Sequence, residues 1–331
     1  MKIWNGLSRY PVALAGAALL AIASLPAAAQ TYPTKTITMI VPFAAGGPTD
    51  TVARLIGQSM GKTFGQTIVV ENVGGAGGTL GAARAAKSAP DGYTIFLHHI
   101  GHATSASLYR KLPFDTVGDF APIGLVTDVP MTLVAKGDLP PKTLAELVDY
   151  VKKNKDKVTY ANAGVGAASH LCGMLFMSAI ATELTTVAYR GTGPAMNDLL
   201  GGQVDVMCDQ TTNTTSQIKA GKIKVYAVTS PTRVPSLPDV PTSAEAGLPG
   251  LQVAVWHGLY APKGTPKPVV DRLVAALQTS LEDPVVKERF AELGTEPVAK
   301  DRATPEALGA HLKAEIAKWG PIIKSAGVYA D

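Results

Sequence analysis

The 331-residue sequence has few aromatic residues and little net charge. Aromatic side chains make up 6% of the residues, and the formal net charge is +4 at pH 7. Loss of an N-terminal segment that contains Lys2 and Arg9 would lower this charge to +2. Proteins that bind nucleic acids rely on clustered positive charge and on aromatic platforms for the bases. The composition therefore predicts neither nucleic acid nor an anionic membrane surface as a partner.

Motifs that carry catalysis or hold a nucleotide are also missing. The sequence has no G-x-S-x-G, no H-E-x-x-H and no G-x-x-x-x-G-K-[ST]. The segment Val73–Gly81 comes nearest to a dinucleotide fingerprint, but Leu80 stands where the third glycine after Gly75 and Gly77 is required. A tight turn with close helix packing is the favoured interpretation. We predict no cofactor, no metal and no enzymatic activity, and an exported hydrolase is the less favoured alternative.

The chain has only two cysteines, Cys172 and Cys208. They do not form a Cys-x-x-Cys pair, which argues against a redox motif or a zinc knuckle. Two buried thiols that pack as small apolar groups are the favoured interpretation. A disulfide stays open, because it requires Cα atoms within about 7 Å and the sequence does not report that distance.

One uncharged apolar stretch, Pro11–Pro26, stands near the N-terminus. Basic residues precede it, and the small residues Ala27-Ala28-Ala29 follow it, which is the pattern of a cleaved secretory signal. The stretch is shorter than the roughly 20 residues of a membrane-spanning helix. We predict a signal peptide over residues 1–29, a mature chain that starts at Gln30, and a periplasmic location.

Strand-like and helix-like segments alternate from Thr36 to Thr229, which favours parallel sheets covered by helices. Two extended segments, 120–134 and 251–261, interrupt this order. Two such connections predict that one α/β domain is inserted into another. Domain 1 would comprise residues 30–126 and 252–331, domain 2 would comprise residues 127–251, and the two crossings would form a hinge beside a cleft.

After the predicted signal, several short segments of the chain are informative through their order and spacing. They are Tyr32–Ile37, Pro42–Asp50, Glu71–Gly78, Pro90–Tyr93, Leu112–Asp115 with Asp119-Phe120, Tyr189–Ala195, Asp198–Asp205, Val240–Thr242 and Trp256–Pro262. In this order and spacing they resemble the substrate-binding receptors of tripartite tricarboxylate transport systems, the Bug family. The chain departs from the family at Val73-Gly74, where Arg-Pro is usual, and at His98-His99, where small hydroxyl residues are usual. The resemblance implies a type II periplasmic-binding-protein fold with two α/β domains, a hinge and a small organic anion in the cleft.

The candidate binding residues stand where predicted strands end. They are Ala45, Gly46, Gly47, Thr49, Asp50, His99, His102, Gly164, Gly166, Ser169, His170, Arg190, Asp209 and Gln210. The loops Phe43–Asp50 and Asn162–His170 each join a strand to a helix, and free N–H groups at a helix N-terminus bind carboxylates. In the alternative interpretation, Thr49, Asp50 and Ser169 only cap their helices.

The remaining candidates have open alternatives of their own. Arg190 would pair with a carboxylate or lie in solvent. His99 and His102 would donate to an anion or pack, and a metal site is disfavoured because His98 and His99 point to opposite faces of a strand. Asp209 and Gln210 would accept hydrogen bonds from a ligand or from helix N–H groups.

The sequence thus predicts a periplasmic receptor that captures a small organic acid by closing about its hinge. Its predicted partners are this ligand and, transiently, the membrane subunits of a transporter, and it is expected to act as a monomer. A receptor that feeds a signalling system is the nearer alternative. The sequence does not choose among aromatic carboxylates, citrate-like acids, amino acids and neutral amides.

Overall fold

The structure is a computed structural model that describes residues 1–2, 32–327 and 329–330. The predicted signal peptide and its cleavage site lie outside the described residues, apart from Met1 and Lys2. None of the helices formed by the described residues has the length and apolar character needed to cross a membrane.

Within the described residues, strands and helices alternate much as the sequence predicts. The strands are β1 Ile37–Val41, β2 Ile68–Asn72, β3 Thr94–His99, β4 Phe120–Lys136, β5 Thr159–Asn162, β6 Thr185–Ala188, β7 Val206–Gln210, β8 Ile223–Val228 and β9 Ala254–Pro262. The helices are α1 Pro48–Phe64, α2 Thr79–Ala86, α3 Gly101–Leu108, α4 Leu144–Lys153, α5 Ala168–Ala179, α6 Thr192–Leu200, α7 Thr211–Lys219, α8 Lys267–Glu282, α9 Pro284–Glu292 and α10 Pro305–Ala326. Helix α3 was not predicted, because its small and hydroxyl residues show no clear apolar periodicity.

Helix α1 illustrates how local sequence determines an element. It begins at Pro48, whose fixed φ suits the first helical position, and it ends at Gly65 in the left-handed conformation. Val52, Ile56 and Met60 recur at helical spacing and are fully buried. The loop after β1 therefore leads directly into a helix that is held against the sheet.

The sheet runs in the order β2-β1-β3-β9-β4-β7-β5-β6, with β8 also paired to β4. Strand β4 pairs with β9 from Phe120 to Pro130 and with β7 and β8 from Met131 to Lys136. We call lobe 1 the part built on β1, β2, β3, β9 and the first part of β4. Lobe 2 is built on the second part of β4 with β5, β6, β7 and β8.

The two lobes make a two-domain α/β fold, which confirms the predicted fold class. The pairs β1–β2, β1–β3, β5–β6 and β5–β7 are parallel. The crossing strands β4 and β9 are antiparallel to the strands beside them. The carboxyl ends of the parallel strands of both lobes face the same region, and in α/β sheets this is where ligands bind.

Lobe 2 also contains a disulfide between Cys172 in α5 and Cys208 in β7, with Cα atoms 6.0 Å apart. Both residues are fully buried. The favoured prediction of two free thiols was therefore wrong, because the two cysteines are bonded to each other. The prediction that both are buried is confirmed. The bond joins a helix to the strand that carries Asp209 and Gln210.

Candidate ligand-binding cleft

A small cavity lies between the lobes at the carboxyl ends of their strands. It is lined by Phe43, Pro48, Thr49, His99, Ala163, Ala168, Ser169, Thr192, Asp209 and Gln210. About 10 Å³ is free for the centres of water molecules, which is room for about one water. The lobes are therefore closed around this cavity.

Four helices begin at the cavity wall. Pro48 and Thr49 open α1, Ala168 and Ser169 open α5, Thr192 opens α6, and Gln210 directly precedes α7. None of the four has a hydrogen bond from a side-chain cap. The first N–H groups of a helix have no partner inside the helix, and its N-terminus carries partial positive charge. The cavity therefore lies among several positive helix ends.

Among the described residues, no lysine or arginine lines this cavity. His99 does line it, but burial first, and then the positive charge that His257 would carry, hold the pKa of His99 well below its usual range. The imidazole is therefore neutral at pH 7. Positive potential in the cavity comes from the peptide groups and not from charged side chains.

The cavity is connected to the crossing strand β9 through one side chain. Thr49 Oγ1 lies 3.3 Å from His257 Nε2, within hydrogen-bond range. His257 is fully buried on β9, opposite His99 of β3. Burial lowers the pKa of His257 to about 4, so this ring is also neutral at pH 7. A ligand group that binds the Thr49 hydroxyl would therefore contact a residue that is within hydrogen-bond range of the crossing strand β9.

Asp209 is the acidic residue of the cavity wall. It is buried, and Asn213 Nδ2 donates to its Oδ2 at 2.5 Å. Burial raises the pKa of Asp209 to about 6, although Asn213, the Gln210 N–H and the nearby Thr192 hydroxyl each lower it somewhat. Thr192 Oγ1 lies close to this carboxyl but its geometry falls short of a hydrogen bond.

The glycine-rich loops of the predicted site lie where the lobes touch. Ala44 N donates to Arg190 O at 2.9 Å, and Thr104 Oγ1 donates to Gly166 O at 3.0 Å. A Cβ on Gly164 would lie 3.1 Å from Gly77 N. Glycine is needed here because the two backbones approach more closely than side chains allow.

The predicted residues therefore divide into two groups. Thr49, His99, Ser169, Asp209 and Gln210 line the cavity. Ala45, Gly46, Gly47, Gly164 and Gly166 do not line it; they belong to the loops that flank it and meet the opposite lobe. The remaining four, Asp50, His102, His170 and Arg190, lie outside its wall.

Asp50 is held by its own lobe. Its carboxylate accepts from Gly46 N at 2.9 Å, from Asn72 Nδ2 at 3.0 Å and from Arg54 at 2.9 Å through each oxygen. Burial acts to raise the pKa of Asp50, but these hydrogen bonds and the charge of Arg54 lower it on balance. Its role is to fix the loop before α1.

The alternative prediction that Thr49, Asp50 and Ser169 cap their helices was wrong. Gly47, and not Thr49 or Asp50, occupies the N-cap of α1, and Ala167 occupies the N-cap of α5. The Ser169 hydroxyl instead accepts from Ala163 N at 2.8 Å. These hydroxyl and carboxyl groups leave the helix ends free.

The other three predicted residues have different surroundings. His102 is fully buried against Phe96, Phe114 and Phe120, and burial lowers its pKa to about 4. His170 Nδ1 accepts from Gly166 N at 3.4 Å. The Arg190 side chain is exposed, and its residue contributes the carbonyl that bonds to Ala44.

Five residues of the cavity wall were not predicted as binding residues: Phe43, Pro48, Ala163, Ala168 and Thr192. All five lie in segments that were predicted to follow the ends of strands. Phe43 stacks on His99 with ring centroids 4.6 Å apart. Four of the five are apolar, and Thr192 is the polar residue that was not predicted.

Comparison with known proteins identifies relatives over most of the chain. The profile of the family described as "Tripartite tricarboxylate transporter family receptor" matches residues 52–328. The solved structure of the periplasmic binding protein BugD is 56% identical, with a TM-score of 0.88, over 90% of this chain and 99% of that one.

Two further solved structures contain small acids. MatC (Rpa3494) from Rhodopseudomonas palustris with bound malate is 43% identical, with a TM-score of 0.85, over 88% of this chain and 100% of that one. R. palustris Rpa4515 with adipate is 34% identical, with a TM-score of 0.85, over 90% of this chain and 99% of that one.

Proposed function

Because the chain belongs to the family of tripartite tricarboxylate transporter receptors, we propose that it captures a small carboxylate between its lobes for a membrane transporter. The observation that carries this proposal is the convergence of four uncapped helix N-termini on one cavity that no lysine or arginine of the described residues lines. Backbone N–H groups and helix dipoles hold anions in this manner without a cationic side chain.

Two relatives support a carboxylate as the ligand. Malate is bound in one solved structure of high similarity and adipate in another. Both are small dicarboxylates, which the peptide groups of two facing lobes are suited to hold. The role we propose is binding and release, without chemical change of the ligand.

Closure of the lobes is the proposed mechanism. The hinge is formed by β4 and β9, with residues 30–126 and 252–331 in one domain and residues 127–251 in the other. The cavity wall takes Thr49 and His99 from lobe 1 and Ser169, Thr192 and Asp209 from lobe 2. A ligand that touches both sets does so only in the closed form, so its binding shifts the population toward closure.

Export and delivery complete the proposal. Residues 1–29 direct the chain to the periplasm, where the closed monomer meets the membrane subunits transiently. The closed and open forms differ in the surface that spans both lobes, and this difference is what a transporter would recognise.

A ligand screen tests the proposed function. Thermal unfolding is followed with C4 to C6 dicarboxylates, with the matching diamides, and with sulfate as an inorganic anion. Acids should stabilise the protein by about 2.7 kcal/mol at a concentration of 100 times their Kd. Equal stabilisation by acids and diamides would contradict anion binding, and no response to any carboxylic acid would contradict the receptor role.

Two valine substitutions on one helix provide a matched comparison. Thr49→Val removes a hydroxyl from the cavity wall, whereas Thr63→Val removes the hydroxyl of an exposed residue, which donates to Ser59 O in the last turns of α1. A hydrogen bond to a charged ligand contributes about 1.5–3 kcal/mol, so Thr49→Val should weaken binding roughly tenfold or more. Thr63→Val should bind like wild type, and equal affinities of the two variants would place the ligand elsewhere.

A further inference from the structure

Asp209 is a buried carboxyl group that has no cation beside it. Its side chain is 1% exposed at the end of β7, and Asn213 Nδ2 donates to its Oδ2 at 2.5 Å. Within the part of the chain that the structure describes, no other side chain hydrogen-bonds to this carboxyl, and no positively charged side chain lowers its pKa. Burial of an ionised carboxylate without a compensating charge is unfavourable. Asp209 therefore holds its negative charge less firmly than an ordinary aspartate.

Two other carboxylates of low exposure each have a cation. Arg54 donates to both oxygens of Asp50, and Lys136 Nζ lies 2.9 Å from Asp205 Oδ1. Burial acts to raise the pKa of Asp205, but hydrogen bonds and the charge of Lys136 lower it on balance. Burial raises the pKa of Asp209 to about 6, close to the pH at which a receptor works. Among these three carboxylates, the one in the cavity wall is thus the one without a compensating charge.

A bound carboxylate brings a second negative charge into the same enclosure. Asp209 lies beside two of the helix ends that attract an anion, because Thr192 opens α6 and Gln210 directly precedes α7. The closed cavity has room for about one water, so little solvent screens the two charges from each other. When two carboxylates share such a site, the pKa of one of them is raised strongly. A proton on Asp209 removes the repulsion and turns an acceptor into an O–H donor toward the ligand.

His99 is the other titratable side chain of the cavity wall. Its Nδ1 accepts from Gly101 N at 2.9 Å, so the proton of the neutral ring is on Nε2. A second proton would have to go to Nδ1 and would displace this backbone hydrogen bond. Protonation of Asp209 breaks no contact of this kind, because Asn213 donates to one oxygen and leaves the other available.

The remaining neighbours of Asp209 are uncharged at pH 7. The elements packed against β7 contribute Thr132 from β4, Tyr160 from β5, Ser169 from α5, Thr192 from α6 and Asn213 from α7. Burial raises the pKa of Tyr160, whose hydroxyl donates to Ser169 O. His170 of α5 lies outside the wall, and His257 lies behind Thr49; burial lowers the pKa of both rings.

We propose that the receptor takes up one proton from solvent when it binds its carboxylate, and that Asp209 holds this proton in the closed complex. The proposal rests on the proposed function and adds a linkage to pH. In the binding step, ionised Asp209, the ionised ligand and one solvent proton combine, and the resulting carboxylic acid donates to a ligand oxygen. Opening of the lobes returns water to the cavity, so the ligand and the proton leave together.

The sign of the pH dependence follows from this step. The carboxyl of Asp209 has a higher pKa in the complex than in the free receptor. Affinity is therefore highest below the free value of about 6, and it is lost as the pH rises through the higher value of the complex. Between the two values, affinity changes about tenfold per pH unit, so Kd should rise at least tenfold between pH 6.5 and pH 8.5. The ligands stay ionised there, since ordinary carboxyl groups titrate near pH ~4.

Titration calorimetry counts the protons directly. Succinate, malate and adipate are titrated at pH 7 in phosphate and in Tris, which differ in their enthalpy of ionisation. The difference between the two observed binding enthalpies gives the number of protons taken up per ligand. For the acid that binds most tightly, wild type should take up between about half a proton and one proton. Infrared difference spectra of wild type should gain the C=O band of a protonated carboxyl on binding.

A substitution assigns the proton to its residue. Asp209→Asn keeps the size of the side chain and an oxygen for Asn213, but it cannot titrate. Its proton uptake should fall to nearly zero, its Kd should become independent of pH, and its affinity at pH 8.5 should equal or exceed that of wild type. Asp198→Asn is the matched control, because Asp198 lies in the same lobe and accepts from Tyr189 Oη outside the cavity wall. It should keep the proton uptake and the pH dependence of wild type.

The outcomes separate this inference from the proposed function. Binding by wild type without proton uptake would overturn the inference and leave the carboxylate receptor intact. Uptake that Asp209→Asn retains would also overturn it, and would assign the proton to another group. Binding of none of the three acids would overturn the inference, and the proposed function falls as well if the whole screen of C4 to C6 dicarboxylates gives no response. Circular dichroism of each variant shows whether a change in binding reflects loss of fold.

Discussion

A single methyl group at Gly193 should hold the lobes apart. Gly193 lies in the first turn of α6 in lobe 2. A Cβ built there would lie 2.9 Å from Ala45 O, 3.0 Å from the carbonyl carbon of Gly46 and 3.0 Å from Gly47 N. All three atoms belong to the backbone of lobe 1, so no side chain can move aside. Gly193→Ala therefore opposes closure more than it opposes the folding of either lobe.

The structure sets the size of this effect. An ordinary contact of about 3.4 Å requires the facing backbones to separate by about 0.5 Å, and overpacking of this kind typically costs about 1–3 kcal/mol. Ligand affinity should fall by about 5- to 150-fold, since 1.4 kcal/mol corresponds to a factor of 10. The helix itself should gain up to about 1 kcal/mol, because alanine is the better helix former.

Calorimetry with the tightest-binding acid, and solution scattering with and without it, measure the two consequences. Wild type should become more compact on binding, and Gly193→Ala should bind weakly and remain extended at the same ligand concentration. Gly309→Ala is the control, because its Cβ in α10 would meet Pro122 Cγ at an ordinary 3.7 Å. Unchanged affinity of Gly193→Ala would refute the conclusion that ligand binding uses this closed arrangement.

Two further predictions concern stability. Reduction of the Cys172–Cys208 bond, which spans 36 positions, should lower the free energy of unfolding by about 4 kcal/mol by loop entropy; equal urea midpoints with and without reductant would contradict this. The pKa of His102 is lowered to about 4 by burial, so its contribution to stability is present above pH 6.5 and is lost as the pH falls toward 4. His102→Phe should remove about 3 kcal/mol of this acid destabilisation, and parallel stability curves of the two proteins would refute a neutral buried ring.

Local sequence accounts for most elements of the fold. Thr143 caps the N-terminus of α4, where its hydroxyl accepts from Glu146 N at 3.2 Å. Thr304 caps α10 in the same manner, and its hydroxyl accepts from Ala307 N at 3.2 Å. Such caps, with apolar residues at helical or strand spacing, act over a few residues and can be read from the chain. Helix α3 lacks these signals, and its contact with α10 supports it instead.

The disulfide was decided by tertiary structure. Cys172 and Cys208 lie in different elements, and only the packing of α5 against β7 brings their Cα atoms to 6.0 Å. The sequence indicated that both residues would be buried, because cysteine commonly packs as a small apolar residue. Their distance depends on how a helix crosses a strand, which no local pattern determines.

The contrast between Asp50 and Asp209 shows, within the site, the same difference between what local sequence determines and what tertiary structure determines. In sequence the two are alike, since each is an aspartate near the end of a strand and the start of a helix. Arg54 and Asn72 engage Asp50 inside lobe 1, whereas Asp209 reaches the cavity with Asn213 as its side-chain hydrogen-bond donor. The sequence by itself determined which loops would border the cleft, because strand ends and helix starts are local features. Only the tertiary structure decided which of the two carboxylates lines the cavity, because that depends on partners 4 to 22 residues away and on the closure of one lobe against the other.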